Sequence, residues 1–179
     1  MAGESTNNRP RWRGPVDGPR SGEAAVSIED PGGRLGVDVL ERLRIEAAGA
    51  VARVGRGGEV RVRLVGDGEM AEAHEKYSGI PGTTDVLTFD LAEGASARGD
   101  ALDVDILACV DEAARQAAGH GHSVERELLL YVLHGVLHCL GHDDHTDEGY
   151  ERMHAEEDRI LKQMGIGPVF HARHSEGKH

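Results

Sequence analysis

The sequence predicts an α+β fold, a small mixed four-stranded sheet packed with about five helices, one of them central. Three observations carry this prediction. Glu59–Val65 alternates strictly and puts Val60, Val62 and Leu64 on one face, the pattern of a half-buried strand. From Asp38, Val39, Leu40, Leu43, Ala47, Ala50, Val51 and Val54 recur with helical period, while Glu41, Arg42, Arg44 and Glu46 face water. A helix opening at Ser123 carries Leu128, Leu129, Tyr131, Val132, Leu133, Val136, Leu137 and Leu140, so it is apolar nearly all round and belongs inside.

The elements follow in order. Residues 1–22 are rich in Pro, Gly, Arg, Asn and Ser around a lone Trp12 and read as a disordered tail. A folded domain is expected over 23–166. Ala24–Glu29 suits a short strand ended by Pro31-Gly32-Gly33, and Gly55 to Gly58 closes the first helix. Asp67 is placed to cap a short helix from Glu69 to about Tyr77. Asp85–Phe89 and Leu102–Cys109 read as the third and fourth strands, joined by a mobile Gly/Ala-rich connection from Glu93 to Asp100. Asp111–Ala118 is a helix stopped by Gly119. Ser123 caps the central helix, with Glu125 and Glu127 at the positive end of its dipole. A last helix from Asp147 to Met164 has the stripe Tyr150, Met153, Ile160, Leu161 and Met164, and 167–179 forms a second disordered tail.

The totals narrow the function. Aromatics make up 3% of the 179 residues, so the core is aliphatic. A formal charge of -12 argues against broad nucleic-acid binding, because phosphate affinity rests on Lys and Arg. A local basic groove remains open to Arg61, Arg63, Arg115 and Arg126. The isolated Cys109 and Cys139 read as small buried residues in a reducing compartment. No apolar run approaches the roughly 20 residues of a membrane helix, and no apolar segment follows Arg9, Arg11, Arg13 and Arg20. The expected location is cytoplasmic, with no membrane partner.

The chain holds 11 histidines, so each needs an ordinary reading first. His171, His174 and His179 fall in the tail, His120 and His122 in a Gly-rich turn as surface imidazoles, and His74 and His154 on solvent-facing sides of amphipathic helices. His134 and His138 differ, because they interrupt a helix too apolar for the surface. Spaced i, i+4 they share one face. A buried imidazole pair without a common partner is costly, and a metal satisfies both nitrogens. Gly141 lets the chain turn, and Asp143, Asp144 and His145 follow, any of which can swing back as a third ligand. Two helical nitrogens and one ligand after a turn leave a fourth position open, the layout of a catalytic zinc. The central helix is therefore the metal-binding helix. Zinc peptidases of the His-Glu-x-x-His type place their base directly after the first histidine. Here that residue is Gly135, so a metallopeptidase-like hydrolase is the weaker alternative, with Asp143 its nearest candidate base.

His134-Gly135-x-Leu137-His138-x-x-Gly141-x-Asp143 resembles the signature of the YbeY family, metal-dependent endoribonucleases of ribosomal RNA maturation. Thr84–Phe89 is similar to that family's Thr-Asp/Asn-Val-Leu-Ser-Phe strand, and Asp105-Ile106 to its Gly-Asp-Ile strand, with Val104 in place of the glycine. Arg126-Glu127-Leu128 agrees as well, and the match runs from about Val26 to Met164. The resemblance implies a Zn2+-dependent single-strand endoribonuclease of 16S rRNA 3′-end maturation and ribosome biogenesis. The implied partners are precursor RNA on the small ribosomal subunit, ribosomal proteins and an assembly GTPase. Zinc would polarise a phosphate oxygen and activate water as nucleophile. The family's third histidine falls at Asp144 here, so the implied metal set is His134, His138 and Asp144, with His145 the alternative. No catalytic base is assigned. After Tyr77 the family carries an arginine where this chain has Ser78, which gives weight to a non-catalytic, zinc-stabilised ribosome assembly factor.

Overall fold

The computed structural model describes residues 23–92 and 101–167. The expected tail at 1–22, the second tail from 168 on, the connection at 93–100, and His171, His174 and His179 lie outside the described residues. The elements run β1 (Ala24–Glu29), α1 (Val37–Val54), β2 (Gly57–Val65), α2 (Asp67–Ser78), β3 (Val86–Asp90), β4 (Ala101–Cys109), α3 (Val110–His120), α4 (Val124–Cys139) and α5 (Asp147–Gln163). The four strands form one sheet in the order β1-β2-β4-β3. β1, β2 and β4 are parallel, and β3 is an antiparallel edge strand on β4, so the sheet is mixed. The fold is α+β.

The period-two pattern decides which face meets which helix. Val60, Val62 and Leu64 of β2 join Leu102, Val104, Ile106 and Ala108 of β4 in the main core, with Leu43 and Val51 from α1 and Ile160 and Leu161 from α5. α4 lies across β3 and β4 and also touches α1, α3 and α5. Leu128, Leu129, Leu133 and Leu137 of α4 are fully buried, each contributing about 2 kcal/mol relative to exposure. The opposite face is covered at one end by α2, where Met70 packs with Val65, Leu107 and Cys109. Both cysteines are free, Cys109 buried and Cys139 half-buried.

Some boundaries differ from expectation. Asp67 does not cap α2, whose cap is Gly66 without a side-chain bond. The Asp67 carboxylate instead receives Arg115 of α3 at 2.7 and 2.9 Å, a bidentate charge-assisted pair. α3 continues through Gly119 to His120, because Gly121 supplies the left-handed residue that ends it. The Ser123 hydroxyl accepts from the Arg126 amide and caps α4 as expected. Tyr150 does not join the buried stripe of α5; it stays exposed, with its ring edge against His154 at 4.0 Å.

Candidate metal centre

The last turns of α4 bring His134 and His138 edge to face, with Nε2 atoms 3.0 Å apart. Their other nitrogens are both committed. His134 Nδ1 lies 2.9 Å from Glu157 Oε1, and His138 Nδ1 lies 3.0 Å from the His142 carbonyl oxygen. An ionised carboxylate and a carbonyl only accept, so each Nδ1 carries the proton and donates. Each Nε2 is thereby left with a lone pair. The Asp144 carboxylate closes the group, with oxygens 3.6 Å from His134 Nε2 and 3.6 Å from His138 Nε2. Three acceptors converge and no donor stands among them. That donor set suits a divalent cation, and tetrahedral zinc takes imidazole nitrogen and carboxylate oxygen together. Burial works against charge on His134, but the Glu157 bond, with the Glu157 and Asp144 charges, outweighs it and raises the imidazole pKa.

Asp144 arrives by way of two helix ends. Gly141 takes φ 88°, and the His142 amide bonds back to the Leu137 carbonyl at 3.1 Å, so the chain reverses over the end of α4. Thr146 then starts α5 by accepting from the Gly149 amide. Between these caps Asp144 points at the histidines. Asp143 and His145 pair with each other and remain exposed, although His145 Nδ1 is also 3.7 Å from Asp144 Oδ1.

Gly135 is constrained from outside the helix. A Cβ at this position would sit 2.5 Å from Thr88 Oγ1 and 3.2 Å from Ile106 Cδ1, against β3 and β4. A glutamate directly after the first histidine would have to displace Thr88 of β3, so this packing disfavours the His-Glu-x-x-His form.

Two contributors escaped the sequence reading. Glu157 is 1% exposed and bonds His134 with one oxygen and His154 Nδ1 at 2.6 Å with the other. Burial alone would raise this carboxyl, but its two imidazole partners hold it low. His154 is therefore not solvent-facing; it is mostly covered and lies 6.4 Å from the His134 ring. The signal was present in α5. Glu157 falls four residues after Met153 and three before Ile160, a carboxylate on a core stripe, which implies a buried cationic or hydrogen-bonding partner. His74 is also only half-exposed, held by the Gly82 carbonyl at 2.9 Å.

The family model described as Endoribonuclease YbeY matches residues 38–165, from the start of α1 past the end of α5. The chain belongs to the YbeY endoribonuclease family. It is 35% identical over 153 residues to the endoribonuclease YbeY of Moorella thermoacetica, spanning 80% of this chain and 98% of that one. It is 36% identical over 138 residues to the Mycobacterium ulcerans enzyme, spanning 72% of this chain and 78% of that one. A Thermotoga maritima protein solved in solution shares the fold with a TM-score of 0.52 and 26% identity, covering 86% of this chain and 99% of its own.

This YbeY-family chain does not build a basic groove from the four arginines considered for it. Arg61 is bound to Glu59, Asp103 and Asp105 on the outer face of the sheet. Arg63 approaches Glu29 and Glu69, Arg115 holds Asp67 and Glu112, and Arg126 donates to the carbonyls of Ile166 and Gly167. Ser78 is the exposed last residue of α2. Among the described residues no helix is long and apolar enough to cross a membrane.

Proposed function

We propose that this chain is a zinc-dependent single-strand endoribonuclease that matures the 3′ end of 16S ribosomal RNA. The observation that carries the reading is the convergence of His134 Nε2, His138 Nε2 and an Asp144 carboxylate with both Nδ1 protons already committed. The endoribonuclease names of the curated relatives supply the reaction class. Zinc held by these residues would supply Lewis acidity toward a phosphate oxygen and a water acidic enough to attack. Glu157 and the His142 carbonyl fix the two imidazole tautomers and aim their lone pairs. Asp144 adds a negative charge to the ligand set, so activated water is less acidic here than with three histidines. Residues 23–166 are the working domain. Its setting is the cytoplasm, its substrate precursor RNA on the small ribosomal subunit, and its partners ribosomal proteins and an assembly GTPase.

A non-catalytic, zinc-stabilised assembly factor is the second reading. Ser78 and the internal pairing of Arg61, Arg63, Arg115 and Arg126 favour it, since none of these four described arginines is left to steer phosphate. A peptidase is disfavoured by the steric closure at Gly135 and by the Asp143–His145 pair, which occupies its one candidate base.

The deciding experiment measures zinc content and cleavage of a 16S 3′-end precursor for the native chain, Asp144→Ala and His145→Ala. Near-stoichiometric zinc with cleavage, both lost in Asp144→Ala and kept in His145→Ala, supports the nuclease. Full zinc with no cleavage moves the conclusion to the assembly factor. Absence of zinc sinks both.

A further inference from the structure

A second cluster stands where α3 gives way to α4. His120 ends α3, His122 follows the Gly121 turn, and Glu127 occupies the first turn of α4. His120 Nδ1 makes a long hydrogen bond of 3.4 Å to Glu127 Oε2, and His122 Nε2 lies 3.1 Å from the same oxygen. These imidazoles are not the free surface groups their Gly-rich context suggests: the His122 side chain is 12% exposed and that of Glu127 is 7%.

The protonation pattern repeats the logic of the first centre. His122 Nδ1 is 3.2 Å from the Ser123 carbonyl, which only accepts, so Nδ1 carries the proton. Nε2 is then a lone pair, buried and facing a carboxylate without the alignment of a hydrogen bond. Two acceptors this close repel unless a proton or a metal ion lies between them, and with His120 they form a group of three whose ligand atoms all lie within 4.8 Å of one another. In tetrahedral zinc coordination with bonds of about 2.0–2.1 Å, ligand atoms sit roughly 3.3 Å apart and their lone pairs converge on the ion rather than on one another. The spacings here, 3.1 and 3.4 Å, straddle that value. Below Glu127 on the same face of α4, the buried Tyr131 hydroxyl has no aligned hydrogen-bond partner and borders the same carboxylate. It is placed as the outer partner that a ligating carboxylate usually has.

We propose that His120, His122 and Glu127 form a second zinc site, which clamps the end of α3 to the first turn of α4. Glu127 precedes His134 by two helical turns, about 10 Å along the axis. Paired-metal catalysis needs ions about 3.5–4 Å apart, so the two centres act separately. The clamp holds the start of the helix whose end carries the first centre.

The test is zinc stoichiometry on the full chain with His171, His174 and His179 changed to Gln, so that these histidines add nothing to the count. Zinc is titrated against a chromogenic chelator while Tm is followed in parallel. Two equivalents are expected. His138→Ala should remove one and leave a zinc-dependent rise in Tm, with Asp144→Ala replacing it should that variant not fold. His120→Gln, at the most exposed of the three ligands, should remove the other. A chain that binds one equivalent lost with His120→Gln still supports the clamp, whatever becomes of the first centre. The proposal is overturned by a single equivalent that vanishes only with His138→Ala. It is equally overturned by two equivalents that both survive His120→Gln combined with His122→Gln.

Discussion

Glu157 Oε1 lies 2.9 Å from His134 Nδ1, joining a core position of α5 to the first candidate metal ligand of α4. The other oxygen of the same carboxylate meets His154, so one buried charge is shared between two imidazoles. This bond decides which nitrogen of His134 faces Asp144. Glu157→Gln keeps the shape but weakens that control, and zinc affinity should fall about 10–100-fold. Competition with a chelator of known affinity measures it. An unchanged affinity would remove Glu157 from the site.

The third ligand can be exchanged. Asp144→His should retain zinc, because a third imidazole is an ordinary zinc ligand at that place. Three neutral ligands leave more charge on the ion, so the pH at which cleavage reaches half its plateau should move down. A pH–rate profile of both proteins reads the shift. A shift upward would contradict the assigned role of Asp144.

Gly135→Ala should destabilise the fold by about 1–3 kcal/mol, since the added methyl overpacks a full interface. Thr88→Ala should recover part of the loss, because Thr88 Oγ1 is the nearest obstacle at 2.5 Å. Urea unfolding of the two single variants and the double variant gives the coupling. Additive losses would place the clash elsewhere.

Cys109 is buried, and that burial pushes its thiol up from the ordinary cysteine range. In the unfolded chain the thiol ionises first, near pH 8.5. Its contribution to stability is therefore complete below that pH and is lost as pH rises toward the folded value. Urea midpoints between pH 7 and 10 should fall more steeply for the native chain than for Cys109→Ala. Iodoacetamide at pH 8 should leave Cys109 unmodified in the folded protein, as read by mass spectrometry.

Ser78→Arg tests the phosphate contact. If a cation after Tyr77 serves the substrate, the variant should cleave precursor RNA about tenfold faster or more, in line with roughly 1.5–3 kcal/mol for a charged hydrogen bond. Equal rates would separate this position from the reaction.

Much of the architecture was legible in local periodicity. The alternation in β2, the all-apolar surround of α4 and the Ser123 cap each depend on near neighbours in sequence, and each appeared where expected. The i, i+4 histidines were legible for the same reason. Asp67 and Gly119 misled because their roles are set at a distance: Arg115 draws Asp67 away from capping, and a second glycine two residues on takes over the helix stop.

By itself, then, the sequence determined the elements, the helix with the paired histidines and the lack of a glutamate base after His134, since these follow from spacings within a few residues. Only the tertiary structure decided what meets those elements. It brought Asp144 rather than His145 over the imidazoles, set Glu157 behind His134 and turned Arg61 toward Asp103 and Asp105 on the outer face. It also gathered His120 and His122 on Glu127. These contacts depend on the β2–β4 register, on the turns at the ends of α3 and α4, and on the packing of α5 against α4. Electrostatic pairing falls off over a few ångströms, and no one-dimensional pattern encodes that separation.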